Sequence, residues 1–172
     1  MTGKIPFIAM IVLHCFLRLM QKLRGVLEMT KLFLIAEIAG TSIAICSDVI
    51  ESVVTIGDVV DVPRSDPVIA GLFALRSRVL TLIDCQYRVT GQRKTVEHKG
   101  LAVVASIGGH NFGLMVDRVR DVVSVADDAV VQAAKLDRKW RDLVSELVEI
   151  DSKLHMVVDP ERLVAIDDRM AA

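Results

Sequence analysis

Short apolar runs, separated by turns of glycine, proline and small polar residues, recur along the chain from residue 31 to residue 158. The runs are short and rich in valine and isoleucine, so the pattern predicts strands rather than long helices. Strands are also predicted over 52–56, 59–62 and 117–124, the last with one wet face because valines alternate with charged residues. Three predicted hairpins have a turn signal between two runs: residues 31–38 with 42–46, 101–107 with 112–116, and 143–150 with 153–158.

Two short helical segments are predicted between and after these strands. Ser47 or Asp48 is suited to cap one helical turn, and Asp159 followed by Pro160 marks the start of a helix over residues 161–166. Residues 90–100 are polar, charged and bounded by glycines, which predicts an exposed loop. We therefore place the boundary between two lobes near residues 86–100.

The stretch from Asp66 to Arg88 contains the most distinctive pattern. Residues 79–83 form a nearly continuous apolar strand, which is typical of burial on both faces. Arg76 and Arg78 flank Ser77 at a turn before that strand, where a charge is costly to bury without a partner. Two interpretations stay open: a turn with two solvated arginines, or a rigid strand end that presents a guanidinium group to a protein partner.

Residues 71–84, Gly-Leu-Phe-Ala-Leu-Arg-Ser-Arg-Val-Leu-Thr-Leu-Ile-Asp, resemble the central signature of the CheW family of chemotaxis adaptors. Residues 111–123 resemble the Gly-Leu-x-Val-Asp-x-Val-x-x-Val block of the family, and residues 153–163 resemble its closing strand and short helix. Three blocks in register are more specific than any one of them. The resemblance covers residues 29–168, which leaves 1–28 as an N-terminal extension and 169–172 as a tail.

The central block departs from the family pattern at two places. The usual Asn-Leu-Arg-Gly is Ala-Leu-Arg-Ser at residues 74–77, and the second arginine after Asp84 is displaced to Arg88. The change at Ser77 bears on the turn, because glycine adopts positive φ angles more readily than serine.

The resemblance implies a mainly β fold of two packed, five-stranded, SH3-like barrels with short helices. It implies a non-enzymatic cytoplasmic adaptor that is recruited to membrane-associated receptor arrays, where it couples chemoreceptor tips to the regulatory domain of the histidine kinase CheA. A groove between barrels suits a receptor helix. We assign the partner-binding groove to six residues: Val49, Glu51, Leu75, Arg76, Val116 and Val119. For Glu51, which matches a family glutamate by position, a merely exposed carboxylate is the alternative.

Composition excludes several other classes. Lys plus Arg is 21 and Asp plus Glu is 22, with no basic stripe, so the chain lacks the charge pattern of a nucleic-acid-binding protein. Cys15, Cys46 and Cys85 are widely spaced, which predicts neither a zinc site nor a disulfide framework. We expect buried thiols in a reducing compartment.

No catalytic motif is present: there is no phosphate-binding glycine loop, no histidine pair at metal-ligand spacing and no serine elbow. We therefore expect no cofactor and no metal. Asp84 and Asp117 end or interrupt apolar runs, where we expect them to accept backbone or arginine hydrogen bonds. Two alternatives stay open: a divergent scaffold of another two-component system, and a small β-barrel enzyme with an aspartate or cysteine nucleophile.

Residues 5–17 are apolar apart from His14, which is too short a run to span a bilayer comfortably. Lys4 alone makes a weak start for a signal peptide. Three interpretations of residues 1–28 stay open: an extension outside the domain, a helix docked on it, or a basic amphipathic segment at a membrane surface. We expect no direct membrane insertion.

Overall fold

The computed structural model describes residues 30–96, 99–126, 130–131 and 136–166, and the predicted extension 1–28 and tail 169–172 lie outside them. The described residues form twelve strands, one 3-10 helix and two α-helices: β1 (Thr30–Ile38), β2 (Thr41–Cys46), the 3-10 helix (Ser47–Val49), β3 (Ile50–Thr55), β4 (Val59–Val60), β5 (Ile69–Leu75), β6 (Arg78–Ile83), α1 (Cys85–Thr90), β7 (Leu101–Ile107), β8 (His110–Val116), β9 (Arg118–Ala126), β10 (Val130–Val131), β11 (Val144–Ile150), β12 (Lys153–Val158) and α2 (Pro160–Val164).

The three predicted hairpins are confirmed, with antiparallel pairing of β1 with β2, β7 with β8 and β11 with β12. Their turns are Ala39-Gly40, Gly108-Gly109 and Asp151-Ser152, and both residues of each turn have positive φ. This is the pattern of a type I′ turn, whose twist matches that of the two strands it connects. Each hairpin is therefore specified by residues close together in the sequence.

The strands form two six-stranded sheets. Sheet A has the order β10-β11-β12-β2-β1-β9, and sheet B has the order β3-β7-β8-β6-β5-β4. All neighbouring strands are antiparallel except β12 with β2 and β6 with β8. Neither hydrogen-bonded order closes on itself, so the fold is mainly β with short helices, and the expected pair of five-stranded barrels is not confirmed.

The two sheets are formed by different parts of the chain. Sheet B uses one continuous segment, from β3 to β8, whereas sheet A combines strands from before and after that segment. The loop that includes residues 91–96 connects two parts of sheet B, because β6 before the loop pairs directly with β8 after it. The expected boundary near residues 86–100 therefore does not separate the two sheets. The chain passes from sheet A to sheet B before β3 and returns after β8.

Helix α1 was not predicted from the sequence. The Asp84 side chain caps it by accepting a hydrogen bond from Tyr87 N at 2.8 Å, and Gly91 ends it with a φ of 73°. An aspartate before a helix and a glycine after it are sequence signals of helix boundaries. Cys85 and Val89, four residues apart, bury the same face. By contrast, α2 confirms the predicted helix, and Asp159 caps it through Glu161 N at 3.0 Å.

Apolar side chains fill three regions. The largest cluster combines residues of both sheets with Trp140 and Leu163, while a smaller cluster lies within each sheet. The central strands thus have apolar residues on both faces, as predicted for 79–83, where Leu80, Leu82 and Ile83 are buried. The prediction is wrong for Val79, which is 68% exposed, because the shared cluster covers that face of β6 only at Ile83.

Candidate interaction surface

The turn between β5 and β6 presents Arg76 and Ser77 to solvent. Leu75 pairs with Arg78 across the turn, and Arg76 has a φ of 55°. Ser77 is not among the residues with positive φ. The positive φ thus lies at the first central residue alone, as in a type II′ turn, so the serine avoids the conformation that favours glycine. The strained position is occupied by Arg76 itself.

Arg76 makes no hydrogen bond or ion pair with any residue that the structure describes. The sequence leaves two interpretations open, a solvated arginine or a guanidinium group presented to a protein partner, and the exposed position of Arg76 fits either. Arg78, not Arg76, has an intramolecular carboxylate partner, because its Nη1 lies 3.6 Å from Glu51 Oε2.

Glu51 is placed by a bulge in β3. The register with β7 shifts between Ile50 and Ser52, so Glu51 is the additional residue. Its carboxylate accepts hydrogen bonds from Asn111 Nδ2, which lies 2.9 Å from both Oε1 and Oε2. The bulge, the start of β8 and the start of β6 thus meet at one end of sheet B. We call this region the turn end: Glu51, Arg76, Ser77, Arg78 and Asn111.

A shallow groove of about 460 Å³ lies beside the turn end, between the first halves of β6 and β8. The two strands pair only from Thr81 and Phe112 onward, which leaves the groove open toward the turns. Its lining combines cationic, polar and apolar side chains with backbone: Arg78, Val79, Leu80, Thr81, Gly109, His110, Asn111 and Phe112. Such a lining suits a polypeptide segment better than a small apolar ligand.

Two further predicted residues, Leu75 and Val49, lie near the turn end. Leu75 ends β5, is half-buried and packs against the cluster within sheet B. Val49 ends the 3-10 helix two residues before Glu51 and is also half-buried. Four of the six predicted residues are therefore at or near one end of sheet B.

Val116 and Val119 are not at this end. Val116 is 4% exposed within the shared cluster, and Val119 is half-buried against the same cluster. Val116 lies five residue steps along β8 from Asn111, which amounts to about 17 Å at roughly 3.4 Å per residue. The structure thus does not bring the six predicted residues into one surface, and Val116 is part of the core.

A polar cluster lies where the chain leaves β8 for β9, and we call it the junction: Gly40, Asp84, Lys94 and Asp117. Asp117 Oδ2 accepts a hydrogen bond from Gly40 N at 3.0 Å, and Asp117 Oδ1 pairs with Lys94 Nζ. The backbone N–H of Lys94 donates to Asp84 Oδ2 at 2.7 Å. The loop after α1, the first hairpin of sheet A and the end of sheet B are therefore held together by two carboxylates.

The junction accounts for both aspartates that the enzyme hypothesis needed. Asp84 is 2% exposed and accepts two backbone hydrogen bonds, as expected from the sequence. Burial acts to raise the pKa of Asp117, but the hydrogen bonds from Lys94 and Gly40 outweigh it and lower that pKa below its ordinary value. Asp117 is thus stabilised as a carboxylate that accepts hydrogen bonds.

The cysteines give the enzyme hypothesis no more support. Burial, followed by the neighbouring charges of Asp84 and Asp117, raises the pKa of Cys85 far above that of a free thiol. Burial also raises the pKa of Cys46, which is half-buried. A raised pKa disfavours the thiolate, which is the nucleophilic form.

The described part of the chain lacks both a metal-binding cluster and a membrane-spanning helix. No group of three or more His, Cys, Asp or Glu side chains is arranged to hold a metal ion there. The helices within it are too short or too polar to cross a membrane.

Sequence reasoning missed Asn111 and Lys94 and gave Arg78 no separate role. Lys94 lies in the exposed loop predicted over residues 90–100, and nothing local marks it as the partner of Asp117, 23 residues away. The displaced Arg88 also has an internal partner, because its Nε donates to the carbonyl oxygen of Arg162 in α2 at 3.2 Å. Such pairs form only when distant strands and helices meet.

Comparison with known proteins shows the family through one match and the fold through another. A family model described as CheW-like domain matches residues 32–167. The crystal structure of the scaffolding protein TtCheW from Thermoanaerobacter tengcongensis has a similar fold, with a TM-score of 0.68 and 18% identity, over 76% of this chain and 90% of that chain. No curated protein matches. At this identity the structural likeness shows the fold alone, whereas the family model spans most of the sequence, and the chain therefore belongs to the family of CheW-like domains.

Proposed function

We propose that this chain is a non-enzymatic signalling adaptor that couples chemoreceptor tips to the regulatory domain of the histidine kinase CheA. The match of a CheW-like domain to residues 32–167 carries the proposal, because coupling of these two partners is the general role of the family. In this role the chain works in the cytoplasm and is recruited to receptor arrays at the membrane.

The turn end supports this function physically. The two-residue turn that carries the guanidinium group is held by two paired strands. The turn lies beside a groove that suits a polypeptide. Ionic and apolar groups side by side, on a rigid support, are typical of sites that dominate protein–protein binding. We assign partner contact to Glu51, Leu75, Arg76 and the adjoining Val49. Val116 and Val119 are left out of this contact surface, because Val116 supports the core at the other end of β8 and Val119 lies on β9 of sheet A.

The test is a binding titration of the full chain and its Arg76→Ala variant against two probes from the same cell, the CheA regulatory domain and a receptor tip fragment. We expect the parent to bind both probes and the variant to bind at least one of them about tenfold more weakly, with unchanged β-rich circular dichroism. Normal binding by the variant would remove Arg76 from the site. A folded parent that binds neither probe would refute the proposed function.

The same titration tests the domain limits. We propose that residues 29–168 form the binding domain and that residues 1–28 add nothing to partner affinity. Residues 29–172 should then bind both probes as tightly as the full chain does. Loss of affinity on removal of residues 1–28 would assign that segment to the site.

A further inference from the structure

Two neighbouring arginines at the turn end have different surroundings. Arg78 faces the Glu51 carboxylate, whereas Arg76 has no ionic partner in the described part of the chain. We propose that Arg76 pairs directly with a carboxylate of the partner, and that Glu51, Asn111 and Arg78 form an intramolecular clamp that positions the Arg76 turn. This inference rests on the proposed function for the partner, and it changes the role of Glu51 from partner contact to positioning residue.

The clamp joins three separate parts of sheet B. Asn111 is the second residue of β8, Glu51 is the bulged residue of β3, and Arg78 begins β6 directly after the turn. The first residues of β6 and β8 are not paired with each other, so the clamp links parts that the strand pairing leaves apart. Hydrogen bonds to a charged group are stronger than those between neutral groups, so they restrict the positions that these ends adopt. The turn that carries Arg76 is therefore held from one side by Arg78.

The geometry also explains why Glu51 is a poor contact for a partner. Both of its carboxylate oxygens already accept from the neutral amide of Asn111, and Arg78 places a cation nearby. A cation from a partner has to compete with these groups for the same oxygens. On its exposed turn, the Arg76 guanidinium donates no hydrogen bond to any residue that the structure describes.

Charge and burial together indicate the chemistry of the partner. Arg76, Arg78 and Glu51 carry one net positive charge, which attracts an acidic group. Val79, three residues from Arg76, is 68% exposed and lines the groove. The segment that fits is therefore one in which an aspartate or glutamate lies close to an apolar side chain: the acid pairs with Arg76 and the apolar group covers Val79.

An exchange of hydrogen-bonding groups tests the clamp. Asn111→Asp places two carboxylates face to face, and Glu51→Gln alone leaves two amides, whereas the double variant Glu51→Gln/Asn111→Asp restores an amide–carboxylate pair beside Arg78. Binding of the receptor tip fragment is measured for each variant of the full chain. We expect Asn111→Asp to weaken binding about tenfold and the double variant to return within about threefold of the parent. Failure of the double variant to recover would overturn the positioning role.

Salt dependence separates direct contact from positioning. We expect Arg76→Gln to weaken binding about tenfold and to flatten its salt dependence, because the ion pair with the partner is lost. Arg78→Gln should also weaken binding but flatten the salt dependence less than Arg76→Gln does, because its charge lies near the partner without pairing with it. The reverse assignment, with salt dependence lost only in Arg78→Gln or Glu51→Gln, would overturn the proposal.

Amide hydrogen exchange of the free chain gives a readout that needs no partner. The amide of Arg78, which pairs with Leu75 across the turn, should exchange faster in Asn111→Asp and return to the parental rate in the double variant. If the parent binds neither probe, the proposed function and the partner contact of Arg76 are refuted together, and the exchange result still decides on the clamp. Unchanged exchange in Asn111→Asp would refute the clamp even where partner binding is normal.

Discussion

The polar groups beside the two ends of strand β8 differ in how far they are exposed to solvent. At the turn end, Glu51 and Asn111 meet on an exposed surface, and Arg78 lies 3.6 Å from the Glu51 carboxylate with its side chain 67% exposed. At the junction, the side chains of Lys94 and Asp117 are only 22% and 26% exposed. The carboxylate at each end accepts more than one hydrogen bond or ion pair, but water competes for the groups at the turn end much more than at the junction.

This difference in exposure suggests binding as the role of the turn end and stability as the role of the junction. Exposed ion pairs contribute little to stability, so we expect substitutions at the turn end to change partner binding more than the free energy of unfolding. Partly buried groups cost much when one partner is removed, so the junction stabilises the fold where sheets A and B meet. The predictions below test this division, beginning with the largest expected effect.

Removal of the Asp117 carboxylate should destabilise the protein most. In Asp117→Ala, the Gly40 N–H and the Lys94 ammonium lose their acceptor, and we expect a loss of about 2–3 kcal/mol in the free energy of unfolding. Urea unfolding followed by circular dichroism measures it. Asp121→Ala, at an exposed position on the neighbouring β9, is the control and should change stability by less than about 0.5 kcal/mol. Equal effects of the two substitutions would contradict a special role for the junction.

At the turn end, binding and stability should separate. Arg76 has a φ of 55°, which glycine adopts without strain and alanine does not. We expect Arg76→Gly to be about 0.5–1 kcal/mol more stable than Arg76→Ala, after allowance for the greater flexibility of glycine in the unfolded chain. Both variants should lose partner affinity alike, because both lack the guanidinium. The two measurements are urea unfolding and a titration with the receptor tip fragment. A less stable glycine variant would mean that the turn does not hold Arg76 at positive φ.

The junction should also make the stability of the protein depend on pH in the acid range. The pKa of Asp117 is lower in the folded protein than its ordinary value near 3.8. The contribution of ionised Asp117 to the free energy of unfolding is therefore complete above the pKa that Asp117 has in the unfolded chain. It is lost as the pH falls through the lower pKa of Asp117 in the folded protein. The urea midpoint, measured from pH 7 down to pH 2.5, should fall less steeply below about pH 4 in Asp117→Asn than in the parent. Parallel curves for the two proteins would show that Asp117 has no part in the acid transition.

The smallest effect concerns two thiols, one near each end. Cys85 is buried beside the junction, while Cys46 is half-buried before the 3-10 helix that leads to Glu51. Since burial raises the pKa of both, both should react slowly with iodoacetamide in the native protein. In a Cys15→Ser background, we expect Cys46 to react at least about tenfold faster than Cys85, because it is more accessible. Mass spectrometry of timed samples measures this. Fast reaction at Cys85 would reopen the hypothesis of a cysteine nucleophile.

Much of the fold follows from local sequence. Gly108-Gly109 and the paired apolar runs around it specify a hairpin, because a two-residue turn with positive φ fixes the register of its strands. The missed helix α1 had local signals as well, in Asp84 and Gly91. The candidate site was predictable only in part: Arg76 is exposed at a turn, as expected, but Val116 is in the core. An apolar residue at the end of a strand has the same pattern in either environment.

The sequence by itself determined the strands, their turns and the family of the chain, because these depend on neighbouring residues and on motifs that keep their spacing. The tertiary structure decided which strands share a sheet: β2 pairs with β12, and β6 with β8, across long intervening segments. It also decided that Glu51 pairs with Arg78 and Asn111, and that Lys94 pairs with Asp117. Such choices depend on which surfaces pack together in the folded chain, and the spacing of residues along the sequence does not encode them locally.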